Sequence, residues 1–255
     1  MNTVNDILSF LMGKAPADLA LDFDNVGLLV GRRSKHVTKV LTALDITDEV
    51  IQEAIQQDAD LIVSHHPLFF DLKTVSDQSW TAERALTLAE NGIAAICMHT
   101  NLDAAAGGVN DALIEALGAK ASDVLDPESG IGRVGYLPEA TTLNAFLANT
   151  KSVLNGNGLR YHDAGKPVHK IAVCGGSGGG DIPLAVSAGC DTYVTADIKY
   201  DQFLEAKHLG LNLIDADHFS TENVVVPVIK DWIQATFPDV DVFVSAVHSQ
   251  TAQFY

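Results

Sequence analysis

The sequence predicts an α/β protein built from two similar α/β/α layered domains, and three observations carry that reading. Apolar runs of strand length alternate with helical patterns, and the alternation recurs later in the chain at a constant offset. The composition is also that of a chain with a full core. Of 255 residues, 47% are hydrophobic and 19% charged, which excludes a disordered chain and suits one large or two ordinary domains.

Each element follows in order. Thr3-Val4-Asn5 precedes a first helix. Lys39 to Asp45 (KVLTALD) reads as a strand, and Asp48 to Gln57 as a helix with Val50, Ile51, Ala54 and Ile55 on one face. Leu61 to Ser64 (LIVS) is a buried strand stopped by His65-His66-Pro67. A helix over Thr81 to Glu90 is closed by Asn91-Gly92 before a strand over Ile93 to Met98. This βαβαβ rhythm implies parallel strands covered by helices on both faces. In the second half Lys170 to Gly175 is a strand, Ile182 to Ala188 a helix and Asp191 to Thr195 a strand. Asn223 to Trp232 continues as a helix, and Trp80 and Trp232 read as packing residues in their helices.

Setting Val40 on Ile171, an offset of 131, also sets Ala59 to Ser64 on Cys190 to Thr195 without a gap. Thr142-Leu143-Asn144 likewise matches Thr3-Val4-Asn5. These matches read as an internal duplication, with domains 1–126 and 127–255 joined near Asp126-Pro127. Asp241 to Val247 is a further strand whose pattern leaves it open to either domain, a return to the first included.

Charge and cysteine content exclude several classes. Lys and Arg number 16 against 33 Asp and Glu, a formal charge of −17. That weighs against nucleic-acid binding and against anionic membranes, but leaves room for a local site for a small anionic substrate. Cys97, Cys174 and Cys190 lack CxxC spacing, so neither a disulfide framework nor a cysteine-rich zinc site is expected. Cys97 and Cys174 read as small buried hydrophobes. The amino-terminal stretch lacks a basic start and a long apolar run, and no segment reaches membrane-span length. Together these features point to the cytoplasm.

Candidate chemistry sits just after strands, where open α/β sheets place their sites. His65 and His66 follow LIVS directly. Adjacent residues of a regular strand face opposite sides, so the two rings share a site only where the chain turns, and Pro67 supplies a reason for a turn. His99 and Asp103 follow the next strand. His218 and Glu222 follow LNLIDAD at a helical spacing of four, and their loop matches the one carrying His99 and Asp103. Imidazole and carboxylate donors without thiolate suit zinc, iron, manganese, cobalt or nickel, and the residues do not choose among them. His65, His66, Asp103, His218 and Glu222 exceed the needs of one tetrahedral ion with an open position. Two divalent ions with a bridging hydroxide use them better, and hydrolysis is the natural reaction.

These residues bring the chain close to a known family. Asp24-Asn25-Val26-Gly27-Leu28, Ser64-His65-His66-Pro67-Leu68, His99-Thr100-Asn101-Leu102-Asp103 and Asp217-His218 with Glu222 resemble, in order and separation, the GTP cyclohydrolase I type 2 homologues, the Nif-three-like dinuclear metal proteins. The likeness runs almost end to end and matches the compact bacterial form. It implies that His65, His66, Asp103, His218 and Glu222 are metal ligands. His99 becomes the candidate catalytic residue, orienting a ligand or moving a proton. It further implies a dinuclear metal site in the cleft between two similar domains, a toroidal homohexamer arranged as a trimer of dimers, and a hydrolase acting on a nucleotide-like substrate such as GTP. The alternative is a non-catalytic, metal-stabilised ring scaffold that binds protein or nucleic-acid partners in stress response or regulation.

Gly175-Gly176-Ser177-Gly178-Gly179-Gly180-Asp181 follows a strand and precedes a helix. It matches neither a Walker A loop nor the dinucleotide fingerprint, so it reads first as a tight turn and second as a phosphate cradle. Lys199, Lys207 and Arg160 are possible anion partners in the same half. Asp215 and Asp217 read as strand-end and helix-capping residues.

Overall fold

The computed structural model describes residues 1–253, and the chain forms two compact units. The first is Met1–Ala105 with Val226–Ser249, and the second is Ala106–Val225 with residues 250–253. Along the chain the first unit holds α1 (Val4–Lys14), β1 (Gly27–Val30), β2 (Lys39–Ala43), α2 (Asp48–Gln56), β3 (Leu61–Ser64), α3 (Trp80–Glu90), β4 (Ala94–Cys97) and α4 (Thr100–Ala104). The second holds α5 (Val109–Ala116), β5 (Lys120–Val124), β6 (Arg133–Thr141), α6 (Leu143–Val153), β7 (Arg160–His162) and β8 (Val168–Val173). It continues with α7 (Ile182–Ser187), β9 (Thr192–Thr195), α8 (Tyr200–Leu209), β10 (Asn212–Asp215) and α9 (His218–Glu222). The chain then returns to the first unit for α10 (Val225–Thr236) and β11 (Asp241–Val244).

The first sheet has the order β1-β4-β3-β2-β11, with the last four strands parallel and β1 antiparallel to β4. Thr3 opens α1 with a reciprocal cap: its hydroxyl accepts from Asp6 N–H and its N–H donates to the Asp6 carboxylate at 2.8 Å. Thr47 caps α2 in the simpler way, accepting from Val50 N–H at 3.2 Å. Val50, Ile51 and Ala54 of α2 join Ala85 and Leu88 of α3 over Leu41, Ile62 and Ala95 of the sheet. The alternate residues Val40, Leu61, Val63 and Ile96 are also fully buried. A sheet buried on both faces explains why LIVS lacks an apolar–polar alternation.

The second sheet has the order β5-β6-β8-β9-β10-β7, in which β8, β9 and β10 are parallel and the flanking strands antiparallel. Ile171, Val173, Val194 and Ile214 pack with α5 and α6 on one face. Ala172, Tyr193 and Leu213 pack with Ile182 and Ala185 of α7 and Ala206 of α8 on the other. This unit is therefore a three-layer α/β/α sandwich. Thr142 caps α6 in the simpler way, accepting from Ala145 N–H at 3.3 Å.

The duplication is visible in the strand register. Val40 pairs with Leu61 in the first sheet and Ile171 with Thr192 in the second, each position displaced by the same 131 residues. Other expectations need correction. The boundary falls at 105/106, not near 126, because β5 pairs antiparallel with β6 and α5 packs on the same sheet. The sheets are mixed, not wholly parallel: β1, β5 and β7 are short antiparallel edge strands, and β6, inside the second sheet, is antiparallel to both neighbours and interrupted in register. The C-terminal strand, left open between the two domains, pairs parallel with β2 and so belongs to the first unit, and it ends at Val244, not Val247. Trp80 is not a packing residue. It is 67% exposed, with the Arg84 guanidinium 4.5 Å from its ring centroid.

Among the described residues no helix is long and apolar enough to cross a membrane. All three cysteines are buried thiols. Burial raises the Cys97 thiol well above its usual range and pushes Cys190 up to about 11. A thiol reagent applied at pH 8 should therefore titrate none of the three in the native protein and all three in guanidinium. A fast-reacting native thiol would contradict the burial.

Candidate metal centre

In the first unit the donors gather where β3 and β4 end. The chain turns at Ser64, whose hydroxyl donates to the His66 carbonyl at 2.8 Å. The turn releases the two following rings from opposite faces, and His65 and His66 come to 5.0 Å between centroids. His99 lies 5.3 Å from His65 and 5.6 Å from His66, ring to ring. One nitrogen from each of the three rings falls within 4.8 Å of the others. Asp103, on the first turns of α4, places Oδ1 3.6 Å from His65 Nε2.

Oxygen acceptors hold the opposite edge of each ring. His65 Nδ1 lies 2.8 Å from the Met98 carbonyl, His66 Nδ1 2.7 Å from Asp45 Oδ1, and His99 Nδ1 2.8 Å from Asp24 Oδ1. A carbonyl or carboxylate can only accept, so each Nδ1 carries a proton, and in the neutral ring each Nε2 presents its lone pair. Asp24 also accepts from the N–H and hydroxyl of Thr100. Burial opposes ionisation of Asp24, but the hydrogen bonds from His99 and Thr100 outweigh it and hold the carboxyl well below the usual range. Asp45 behaves alike: burial raises it, and hydrogen bonds from His248 and His66 bring it below the ordinary carboxylate value.

In the second unit His218 and Glu222 occupy one face of α9, as their spacing predicts, with His218 Nε2 3.0 Å from Glu222 Oε2. Asp197 accepts from His218 Nδ1 at 2.7 Å, from a loop residue at φ +54°. Asp217 caps α9 by accepting from Ser220 N–H at 2.9 Å, the role assigned to it from sequence. Asp215 is buried and paired with Arg160, which also donates to the Ile198 carbonyl at 2.8 Å, so the exposed Arg160 is already engaged by groups of the protein itself.

The glycine run behaves as a tight turn. The N–H groups of Gly175, Gly176 and Gly178 donate to Asn110 Oδ1, Thr221 Oγ1 and Thr195 Oγ1 at 2.9, 3.0 and 3.0 Å. Three of its amides thus serve the protein itself. Gly176, at φ +66°, abuts the donors: a methyl group there would run into Glu222 Oε1 and come within 3.2 Å of His218 Nε2.

The donor chemistry fits a bound cation. In each unit a histidine with its Nδ1 proton committed elsewhere turns its Nε2 lone pair toward a carboxylate oxygen, His65 to Asp103 and His218 to Glu222. Two lone-pair donors facing each other this way require a positive charge between them, a proton or a metal ion. The rings, all bonded to oxygen at Nδ1, also match the arrangement by which proteins fix the tautomer of metal-binding histidines.

The DUF34/NIF3 (NGG1p interacting factor 3) model matches residues 2–251. The chain belongs to the DUF34/NIF3 family. It is 37% identical over 250 residues to the GTP cyclohydrolase 1 type 2 homolog of Clostridium perfringens, covering 95% of each chain. A Bacillus cereus protein related to NIF3 superposes with a TM-score of 0.92 at 27% identity, covering 100% of this chain and 99% of the other. A Staphylococcus aureus hypothetical protein superposes at 0.90 with 30% identity, covering 99% of both chains. The family resemblance read from the His-His-Pro and late His-x-x-x-Glu strings therefore holds.

Sequence reasoning did not assign the residues that aim the rings: Asp24, Asp45, the Met98 carbonyl and Asp197. One signal was available. Asp197 lies 131 residues after His66, at the equivalent position following β9. The ligand-bearing loops also match less closely than the sequence suggests. β4 and α4 map onto β10 and α9 with a displacement of 118, which carries Ala94 to Asn212 and Thr100 to His218. Asp103 and Glu222 therefore stand one position apart on equivalent helices.

Gly176→Ala provides a test of the second unit. The strained backbone costs about 1–2 kcal/mol by itself, and Gly165→Ala shares it, with φ +75° and open space around the position. Gly176→Ala should also displace the Glu222 carboxylate and lower divalent-cation affinity by about tenfold or more, while Gly165→Ala leaves it unchanged. Calorimetric titration of both variants checks this.

Proposed function

We propose that this protein is a dinuclear metal-dependent hydrolase of a small, anionic, nucleotide-like substrate. His65, His66 and Asp103 of the first unit and His218 and Glu222 of the second supply the ligands. The observation that carries the reading is the repeated pairing described above, a histidine held at Nδ1 with Nε2 toward a carboxylate, once in each unit. Exposed ion pairs would not need rings fixed so rigidly; metal ligands do. Two divalent ions, when bound, supply Lewis acidity and lower the pKa of a coordinated water, which suits attack on a C–N, C–O or P–O centre.

The remaining steps belong to the chain's own residues. Asp24 fixes the His99 tautomer, so Nε2 is the atom that accepts a proton and returns it to a leaving group. Asp45 and Asp197 keep the rings of His66 and His218 oriented throughout. The name borne by the Clostridium perfringens relative supports a purine nucleotide such as GTP as the first substrate to try. A cytoplasmic location and a homohexamer arranged as a trimer of dimers belong to the same reading, and native mass measurement should return six chains.

Metal analysis followed by a turnover screen decides between enzyme and scaffold. The purified protein should hold two equivalents of a divalent ion, and His65→Ala combined with Glu222→Ala should lose both metal and turnover. His99→Ala should keep the metal and lose turnover by about 10²–10⁴-fold. A fully metallated protein that consumes no nucleotide or phosphoester would favour the scaffold.

A further inference from the structure

One of the histidines outside the motifs considered so far reaches an acceptor of the first unit. His248 follows β11, in a segment fastened to α2: Ser245 Oγ donates to Glu53 Oε2 at 2.5 Å and Ala246 N–H to Glu53 Oε1 at 2.9 Å. The His248 N–H in turn donates to Ser245 Oγ at 3.2 Å. The segment carries the ring to Asp45, where its side chain is only 9% exposed. His248 Nε2 lies 2.9 Å from Asp45 Oδ2, and the other oxygen of the same carboxylate lies 2.7 Å from His66 Nδ1. The Asp45 N–H also approaches His248 Nε2, at 3.2 Å, but the nearer, charged carboxylate oxygen at 2.9 Å assigns the proton to Nε2. Asp45 thus stands between two imidazoles, accepting one ring N–H at each oxygen.

A carboxylate held at one oxygen still turns about its Cβ–Cγ bond, a broad and soft torsion. A second bond at the other oxygen fixes its plane. With the plane fixed, Oδ1 stays in line with the His66 ring, which fixes the ring in turn and keeps its Nε2 lone pair in one direction. We propose that His248 is a positioning residue: by pinning Asp45 it sets the orientation of His66, and so the affinity of the first unit's histidines for a divalent cation. The inference rests on the reading of His66 as a ligand.

The test titrates zinc alone into the metal-free full chain by calorimetry, using wild type, His66→Ala, His248→Phe and His248→Gln. Phe keeps a ring of similar volume but donates no hydrogen bond, whereas Gln keeps a donor and loses the ring. A positioning role predicts that His248→Phe weakens zinc binding about 10- to 100-fold and that His248→Gln stays within about threefold of wild type, because its amide donor is retained. A purely packing role predicts the reverse order. Long-range nitrogen NMR gives an independent readout: the His66 ring should be protonated at Nδ1 in wild type and His248→Gln, and lose that single tautomer in His248→Phe. Wild-type zinc binding in His248→Phe, or a His248→Gln variant as weak as His248→Phe, overturns the inference and leaves the metal reading intact. A wild-type protein that takes up no zinc overturns both.

Discussion

Four imidazole rings in this protein are each held at Nδ1 by an oxygen that the scaffold brings to them, and the rest of the structure is arranged to make those four bonds possible. Three acceptors come from just past strand ends, Met98 after β4, Asp45 after β2 and Asp197 after β9, and the fourth, Asp24, from the loop before β1, whose start pairs with the end of β4. A parallel sheet supplies such positions because its strands all finish at one edge, and sheets covered on both faces keep that edge rigid. Burial works against charge on Asp24 and Asp45. The hydrogen bonds they accept offset that cost, so the carboxylates stay ionised and the rings stay in one tautomer.

Duplication provided the frame, and the two copies then took different chemistry. Strands β2 and β3 and strands β8 and β9 share one register at a single displacement, so the backbone edge recurs faithfully. The side chains on it do not. At the position of His66 the second unit has Asp197, and at the position of Asp45 it has Gly176. One unit therefore uses the post-strand position for a ring and the other for the acceptor that holds one. Gly176 replaces an acceptor with empty space, and the space is where Glu222 sits.

Much of this was legible in the sequence, for identifiable reasons. The strands LIVS and KIAV and the helices over 48–57 and 182–188 stand out because buried parallel strands are continuous apolar runs, and helices between them keep a period near 3.6. The five carboxylate and imidazole donors stand out because they follow those runs directly. The antiparallel edge strands were not legible, since a short strand with one exposed face, such as Lys120–Val124, has neither pattern. The boundary at 105 was hidden for the same reason: a hairpin links β5 to β6, and pairing across a turn leaves little trace in composition. The carboxylates that aim the rings were hidden because each lies more than twenty residues from its histidine in sequence.

The interleaved course of the chain has a consequence for the order in which the protein assembles during synthesis. The second unit holds all six of its strands between residues 106 and 225, while the first still lacks α10 and the edge strand β11. As the chain leaves the ribosome, the unit that begins later is thus the first to have a complete sheet. The amino-terminal segments wait with the β2 edge uncovered until the last tenth of the chain emerges and β11 closes it.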